Sequence, residues 1–560
     1  MSSSQHPSPE TPIDAEGATS GAVDLRDQLG QLLMAGFEGT EPSPAILDLI
    51  EHHQLGGVIL FSRNIVSAEQ VYHLTSTLQA KARAAGHRYP LLIAIDQENG
   101  MVQRLGEHVT LFPGNMALGA SDSPELVTAV ARATGRELQA LGINMNLAPV
   151  LDINNNPANP VIGVRSFGED PEQVARLGLA AVRGYREAGI ISCLKHFPGH
   201  GDTATDSHLA LPLIPHDLAR LEHLELVPFA RVLQAAGADA IMTAHIAFPA
   251  LTGNPTLPAT VAPTIITGLL RQRLNFDGVA MSDCLEMEAT ASTLGIEQAT
   301  VRALEAGLDL ILISHRYDRQ LAGLAAMRTA LDEGRLSPAR LQQALRRLQR
   351  LKARYLSWER LPQPEALRQL KVPEHLELQR RSYQRAITLL RNHQGLLPLR
   401  LAPEQRLLIL IPQKEGASRV EDQRYPVEAL IASIQGYHPN TEARLLTLPL
   451  AESEREALHT DITQAALVLL VTVNAYLDKD QSAYINWLVS EAACPIVALA
   501  VYNPYDLLAC PQLTTYLLTY EYTRPAIETA SAVLFGAAHP QGHLPVSLPP
   551  LHARGEGLSY

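Results

Sequence analysis

The sequence predicts an α/β protein built as a (β/α)8 TIM barrel followed by a C-terminal α/β sandwich. Two observations carry that prediction. Eight short, continuously apolar runs alternate with segments of helical period across residues 24–357, and a second alternation with five apolar runs begins beyond residue 400. A length of 560 residues also exceeds what one ordinary domain holds.

The opening stretch, MSSSQHPSPETPIDAEGATSGA, is polar and rich in Ser and Pro. It has neither a basic leader nor an apolar heart, so residues 1–23 are predicted to be a disordered tail rather than a secretory signal. The eight barrel runs follow: LLMAGF (32–37), GGVILF (56–61), LLIAID (91–96), NMNLAPVLD (144–152), SCLKHF (192–197), AIMTAHI (240–246), GVAMSD (278–283) and LDLILIS (308–314). Parallel strands covered on both faces read as unbroken apolar runs rather than as alternation. Helices are predicted between them, for example over 69–86, 125–141 and 217–237. A doubly wound open sheet is the rival architecture, but eight parallel strands in one domain favour closure. The charged run LSPARLQQALRRLQRLKARYLSW reads as a closing helix, and 358–375 as a linker. Within the predicted sandwich, 376–560, the strands are 406–412, 443–450, 466–473, 495–502 and 515–522. No P-loop or GxGxxG follows any of them, so a nucleotide-binding reading has no support.

Composition narrows the function classes. A formal net charge of −13 offers no electrostatic attraction to nucleic acid. No apolar stretch reaches membrane-spanning length. The four cysteines are scattered without a CxxC pair, as suits free thiols in a reducing compartment, and a cytoplasmic protein is expected. No cofactor is implied, and oligomeric state is not readable.

Barrel active sites lie at the carboxyl ends of the strands. There the sequence supplies Asp96, Gln97, Glu98 and Arg104 after strand three, Asp152 and Arg165 after strand four, Lys195 and His196 on strand five, His245 on strand six and Asp283 on strand seven. Such a ring of carboxylates, cations and imidazoles suits a polyhydroxylated ligand. Each Asp also has a plainer reading as a helix or turn cap. Asp170 before Pro171 reads as a cap, and Glu286 and Glu288 as the start of a helix. Lys195 resists such a reading, because a buried lysine needs a partner or a task.

The loop HFPGHGDTATDSH has three readings. It could be a glycine-rich turn. It could be a metal site using His196, His200 and His208, but it lacks HxH or HExxH spacing, and no metal is expected. It could hold an Asp–His dyad, with Asp206 orienting His208 as general acid and base.

KHFPGHGDTATDSH (195–208) resembles the signature of β-N-acetylglucosaminidases of glycoside hydrolase family 3. DQENGMVQRL, GINMNLAPVLDINNNPANPVIGVRSFGEDP, MTAHIAFPAL and FDGVAMSDCLEMEA resemble further family blocks in the same order, and AITLLRNHQGLLPL and GHLPVSLP resemble the second domain of two-domain members. The resemblance implies Asp283 as nucleophile, Asp206 and His208 as catalytic dyad, and Asp96, Arg104, Arg165, Lys195 and His196 as residues holding the terminal sugar. It implies a retaining enzyme acting on terminal β-linked N-acetylglucosamine of muropeptides or chitin oligosaccharides, with Lys195 and Arg104 favouring ionised Asp283. One departure stands out. The family commonly shows DQEGGRVQR, whereas Asn99 and Met101 interrupt that pattern here.

Rival activities are a phosphorylase, since a loop imidazole tolerates incoming phosphate, a β-glucosidase or xylosidase, and a metal-dependent hydrolase betrayed by chelator sensitivity. A sugar-binding protein on a dead barrel would lack Asp283 or the dyad.

Overall fold

The computed structural model describes residues 24–413 and 426–560; the predicted tail, 1–23, lies outside the described residues. Eight parallel strands close into a barrel: β1 (Leu33–Ala35), β2 (Gly57–Leu60), β3 (Leu92–Ile95), β4 (Met145–Asn146), β5 (Ile191–Phe197), β6 (Ala240–Thr243), β7 (Val279–Cys284) and β8 (Leu310–Ile313). Each pairs with its sequence neighbours, and β8 returns to β1. Every one coincides with a predicted apolar run, because both faces of a barrel strand are buried, one inside the barrel and one under the helices.

Helix starts follow from local chemistry. Ser67, Ser123, Asp170 and Ser337 each accept a hydrogen bond from the backbone N–H three residues on, satisfying a first-turn donor. Proline at the first helical position after Ser123, Asp170 and Ser337 pre-sets the backbone angle. The predicted cap role of Asp170 holds.

Two expectations need correcting. The helix predicted across 217–237 is two, Leu218–His223 and Val227–Ala236, broken at Leu224–Leu226 just before Pro228. The break turns the Glu225 side chain into the interior, where it is 2% exposed. Glu286 does not begin a helix. Its carboxylate accepts from the backbone N–H groups of His315 (2.6 Å) and Arg316 (3.1 Å), capping the helix Tyr317–Asp332 from across the barrel rim. Glu288 alone opens the short helix Glu288–Ala291.

The second sheet has six strands where five were expected: β9 (Thr388–Asn392), β10 (Leu407–Pro412), β11 (Thr441–Leu446), β12 (Leu467–Thr472), β13 (Ile496–Ala500) and β14 (Thr515–Leu518). Their order is β9-β14-β13-β12-β10-β11, with only β9 antiparallel. Short 3-10 turns occupy Trp358–Arg360 and Pro364–Gln369, and the helix Pro373–Ala386 leads into β9.

The two halves share apolar packing. Met101, Met116, Ala117, Ala120 and Val164 from barrel loops belong to the hydrophobic cluster of the second sheet. Polar seams join them: Gly114 N–H donates to Glu521 (2.7 Å), Asn154 to the Tyr505 hydroxyl (2.8 Å), and Ser547 N–H to Glu169 (2.8 Å). The four cysteines are free, and no helix among the described residues is long and apolar enough to cross a membrane.

Candidate active site

A pocket of about 120 Å³ opens at the carboxyl end of the barrel. Its walls come from strand ends and the loops beyond them. Asp96, Arg104, Arg165, Lys195, His196, His208 and Asp283 all line it, whereas Asp206 stands behind His208.

One side is an ion network. Lys195, 2% exposed, donates to Asp96 (2.7 Å) and lies 2.6 Å from Glu98. Arg165 grips both oxygens of Glu98, at 2.8 and 2.9 Å, in a bidentate fork. Arg104 approaches the other Asp96 oxygen at 3.7 Å. Burial acts to neutralise Glu98, but the adjacent Arg165 and Lys195 outweigh it and hold the carboxyl well below the usual glutamate range. Burial likewise acts against the Lys195 ammonium, yet Asp96 and Glu98 keep its pKa raised. Glu98, Arg165 and Lys195 therefore stand ionised in this wall.

His196 is fixed from behind. Its Nδ1 lies 2.6 Å from Asp152, a fully buried carboxylate that also accepts from the backbone N–H of His200 at 2.7 Å. Its Nε2 lies 3.5 Å from an Arg165 guanidinium nitrogen, at the pocket wall that both residues line. The sequence places Glu98 and Asp152 at strand ends without giving either a role. Both act through others: Glu98 aligns Arg165 and Lys195, and Asp152 orients the His196 ring.

The glycine-rich loop after β5 supplies the opposite wall. A Cβ at Gly201 would overlap the carbonyl oxygen of Ile153, so only glycine lets the loop lie this close to the β4 segment. His200 bridges the Thr203 and Ser207 hydroxyls at 2.9 and 3.1 Å. Burial, helped by the field of His196, depresses its pKa to about 4, so it is a neutral hydrogen-bonding member of the loop. Asp206 accepts from both the backbone N–H of His208 (2.8 Å) and its Nδ1 (2.7 Å). Burial opposes ionisation of Asp206, and those hydrogen bonds overcome it, leaving its pKa lowered. Asp206 thereby fixes the ring through Nδ1 and leaves Nε2 as the nitrogen free of that carboxylate.

Asp283 closes β7 on the pocket floor, and its Oδ1 accepts the Cys284 N–H at 2.7 Å. Burial raises its pKa, but His245, His196, the Cys284 amide and His208 together lower it below the ordinary aspartate value. The neighbours acting on it are thus three histidines and a backbone amide, while the expected Lys195 and Arg104 are engaged by Asp96 and Glu98. An ionised carboxylate and an oriented imidazole facing one pocket are the parts of a displacement with general acid–base assistance.

The family departure also has a location. Asn99 (φ +71°) donates to the Thr134 hydroxyl at 3.1 Å, and Met101, 3% exposed, packs into the second domain's core. Both face away from the pocket lining. Ser314, which closes the eighth apolar run, and His315, which carries no sequence signal, also line the pocket just beyond β8.

The family model Glycosyl hydrolase family 3 N terminal domain matches residues 24–351. A Pseudoalteromonas piscicida protein named Beta-hexosaminidase A is 36% identical over 478 residues, covering 76% of this chain and 78% of that protein. A solved β-N-acetylglucosaminidase of the same family from Paenibacillus superposes with a TM-score of 0.86 at 41% identity, covering 94% of this chain and 99% of its own. A fungal multi-domain β-N-acetylglucosaminidase of the family gives a TM-score of 0.90 at 42% identity over 95% of this chain, which spans 62% of that fungal chain.

Proposed function

The chain belongs to glycosyl hydrolase family 3 and is a glycoside hydrolase, and from that premise we propose that it is a retaining β-N-acetylglucosaminidase working through a covalent intermediate on Asp283. The observation that carries this reading is the shared pocket of Asp283 and His208, with Asp206 2.7 Å behind the imidazole.

In this mechanism the terminal N-acetylglucosamine is held by Asp96, Arg104, Arg165, Lys195 and His196. The Asp283 carboxylate attacks the anomeric carbon while His208 Nε2–H protonates the departing glycosidic oxygen. His208, now neutral, takes a proton from water as that water attacks the glycosyl ester, which frees the sugar and regenerates Asp283. Lys195 and Arg165, locked by Glu98, meet the sugar without reorganising, and such preorganisation favours the transition state over bulk water. The substrates we propose are muropeptides or chitin oligosaccharides, and the compartment is the cytoplasm; fractionation of cells expressing the chain tests the latter.

The deciding experiment compares aryl β-N-acetylglucosaminide, β-glucoside and β-xyloside in phosphate and in a phosphate-free buffer. Fastest turnover of the N-acetyl sugar, with free sugar as product in both buffers, is expected. A sugar 1-phosphate product would mean phosphorolysis, and a glucoside preference would replace the proposed substrate class.

A further inference from the structure

Asp202, His216 and Glu225 come together at the base of the glycine-rich loop, with one candidate donor atom from each within 4.8 Å of the others. None of them lines the sugar pocket. Asp202 and His216 Nε2 are 2.7 Å apart and partly exposed. Glu225 arrives from the break between the helices Leu218–His223 and Val227–Ala236. Its Oε1 accepts from Asn155 (3.1 Å) and, at 3.5 Å, from Arg220.

The second observation is an unsatisfied atom. Glu225 is 2% exposed, yet its Oε2 has no hydrogen-bond partner, and the buried Oδ1 of the adjacent Asn155 has none either. A carboxylate oxygen buried without a donor costs free energy unless something positive meets it. Arg220 touches only the other oxygen, and loosely. The loop is pressed against this group: a Cβ at Gly199 (φ +135°) would lie 2.9 Å from the Glu225 Cβ.

We propose that Asp202, His216 and Glu225 bind one divalent transition-metal cation of the zinc class. One imidazole and two carboxylates are a donor set that zinc accepts, with water completing the shell, whereas calcium and magnesium favour all-oxygen surroundings. The cation is structural. Its ligands at 202 and 216 flank Asp206 and His208 in sequence, so it closes the segment carrying the dyad and restrains where His208 stands. The loop's own histidines are not its ligands, because His196, His200 and His208 are held by Asp152, by Thr203 and Ser207, and by Asp206.

The test uses the full chain, stripped with a chelator, dialysed and titrated with zinc chloride by calorimetry. Hydrogen exchange of residues 200–216 is followed in parallel. Variants are His216→Ala, Asp202→Asn and Cys284→Ser, the last because Cys284, Glu286 and His315 form a separate group of possible donors. Outer-shell changes alone weaken metal sites about 10–100-fold, so losing a ligand should weaken zinc at least about tenfold. The expected result is one zinc bound by wild type and by Cys284→Ser, tenfold or weaker binding in the other two, and zinc-slowed exchange across 200–216. Unchanged affinity in His216→Ala and Asp202→Asn, loss of zinc in Cys284→Ser, or no zinc-dependent protection of the loop would overturn the proposal.

Discussion

In the proposed mechanism His208 and Asp283 divide the chemistry unequally, and their variants should separate. Replacing His208 with Ala removes the proton donor, so natural glycosides should slow by about 10²–10⁴-fold. Aryl glycosides whose leaving group needs little protonation should lose much less in the glycosylation step; equal losses on both substrate types would refute an acid role. Asp283→Asn should remove turnover of every substrate, since the proposed covalent step then lacks its nucleophile. Behind them, Glu98 is the residue whose loss should spread furthest. Glu98→Gln leaves Lys195 and Arg165 without their shared counter-charge in a buried setting, where breaking one side of such a pair costs about 3–5 kcal/mol. Urea denaturation should register that cost, and KM should rise with it because both cations lose their alignment. An unchanged KM would mean that the two cations do not meet the sugar.

Elements are held by side chains arriving from elsewhere in the sequence. The helix Tyr317–Asp332 has no cap from its own N-cap residue, Arg316, and Glu286 from the preceding β7 loop replaces one. Glu286→Ala should therefore cost roughly 1–2 kcal/mol, the scale of a lost N-cap, visible as a lower urea midpoint at unchanged m-value. A midpoint within error of wild type would show that water replaces the carboxylate at no cost. The same logic applies to Met101, whose side chain fills the second domain's core from a barrel loop. Met101→Ala should destabilise by about 2–4 kcal/mol through the cavity it leaves.

For the whole molecule the second domain acts as a buttress. Among the described residues it contributes none to the pocket lining, yet Tyr505, Ser547 and Glu521 hydrogen-bond the loops that carry the strand-three and strand-four site residues. Glu521 makes that seam sensitive to pH. It is buried without a cation beside it, and burial outweighs hydrogen bonds from Gly114, Thr523 and Tyr383 to lift its pKa from 4.5 to about 7. A carboxyl raised on folding stabilises fully below its unfolded value, and that contribution fades as pH climbs through the folded one. Between pH 5 and pH 8 wild type should therefore lose roughly 3 kcal/mol that Glu521→Gln does not lose. Thermal unfolding of the two proteins across that range is the measurement, and parallel curves would count against a neutral Glu521.

How much of this was legible varies with its physical origin. All eight barrel strands could be read because burial on both faces writes continuous apolar runs. β9, TLLRN, could not, since an antiparallel edge strand with two apolar residues carries little pattern. The break near Glu225 was hidden because apolar period continues across it, and only packing decides where the chain bends. By itself the amino-acid order determined the barrel, the ring of polar strand ends and the dyad, since these follow from local hydrophobic period and from residues two apart. The tertiary structure decided which ring members face the pocket and which, like Glu98 and Asp152, work from behind, and it gave Glu286 its place at a distant helix start. Those roles depend on meetings across tens of residues, between charges whose ionisation is set by neighbours that no local pattern records.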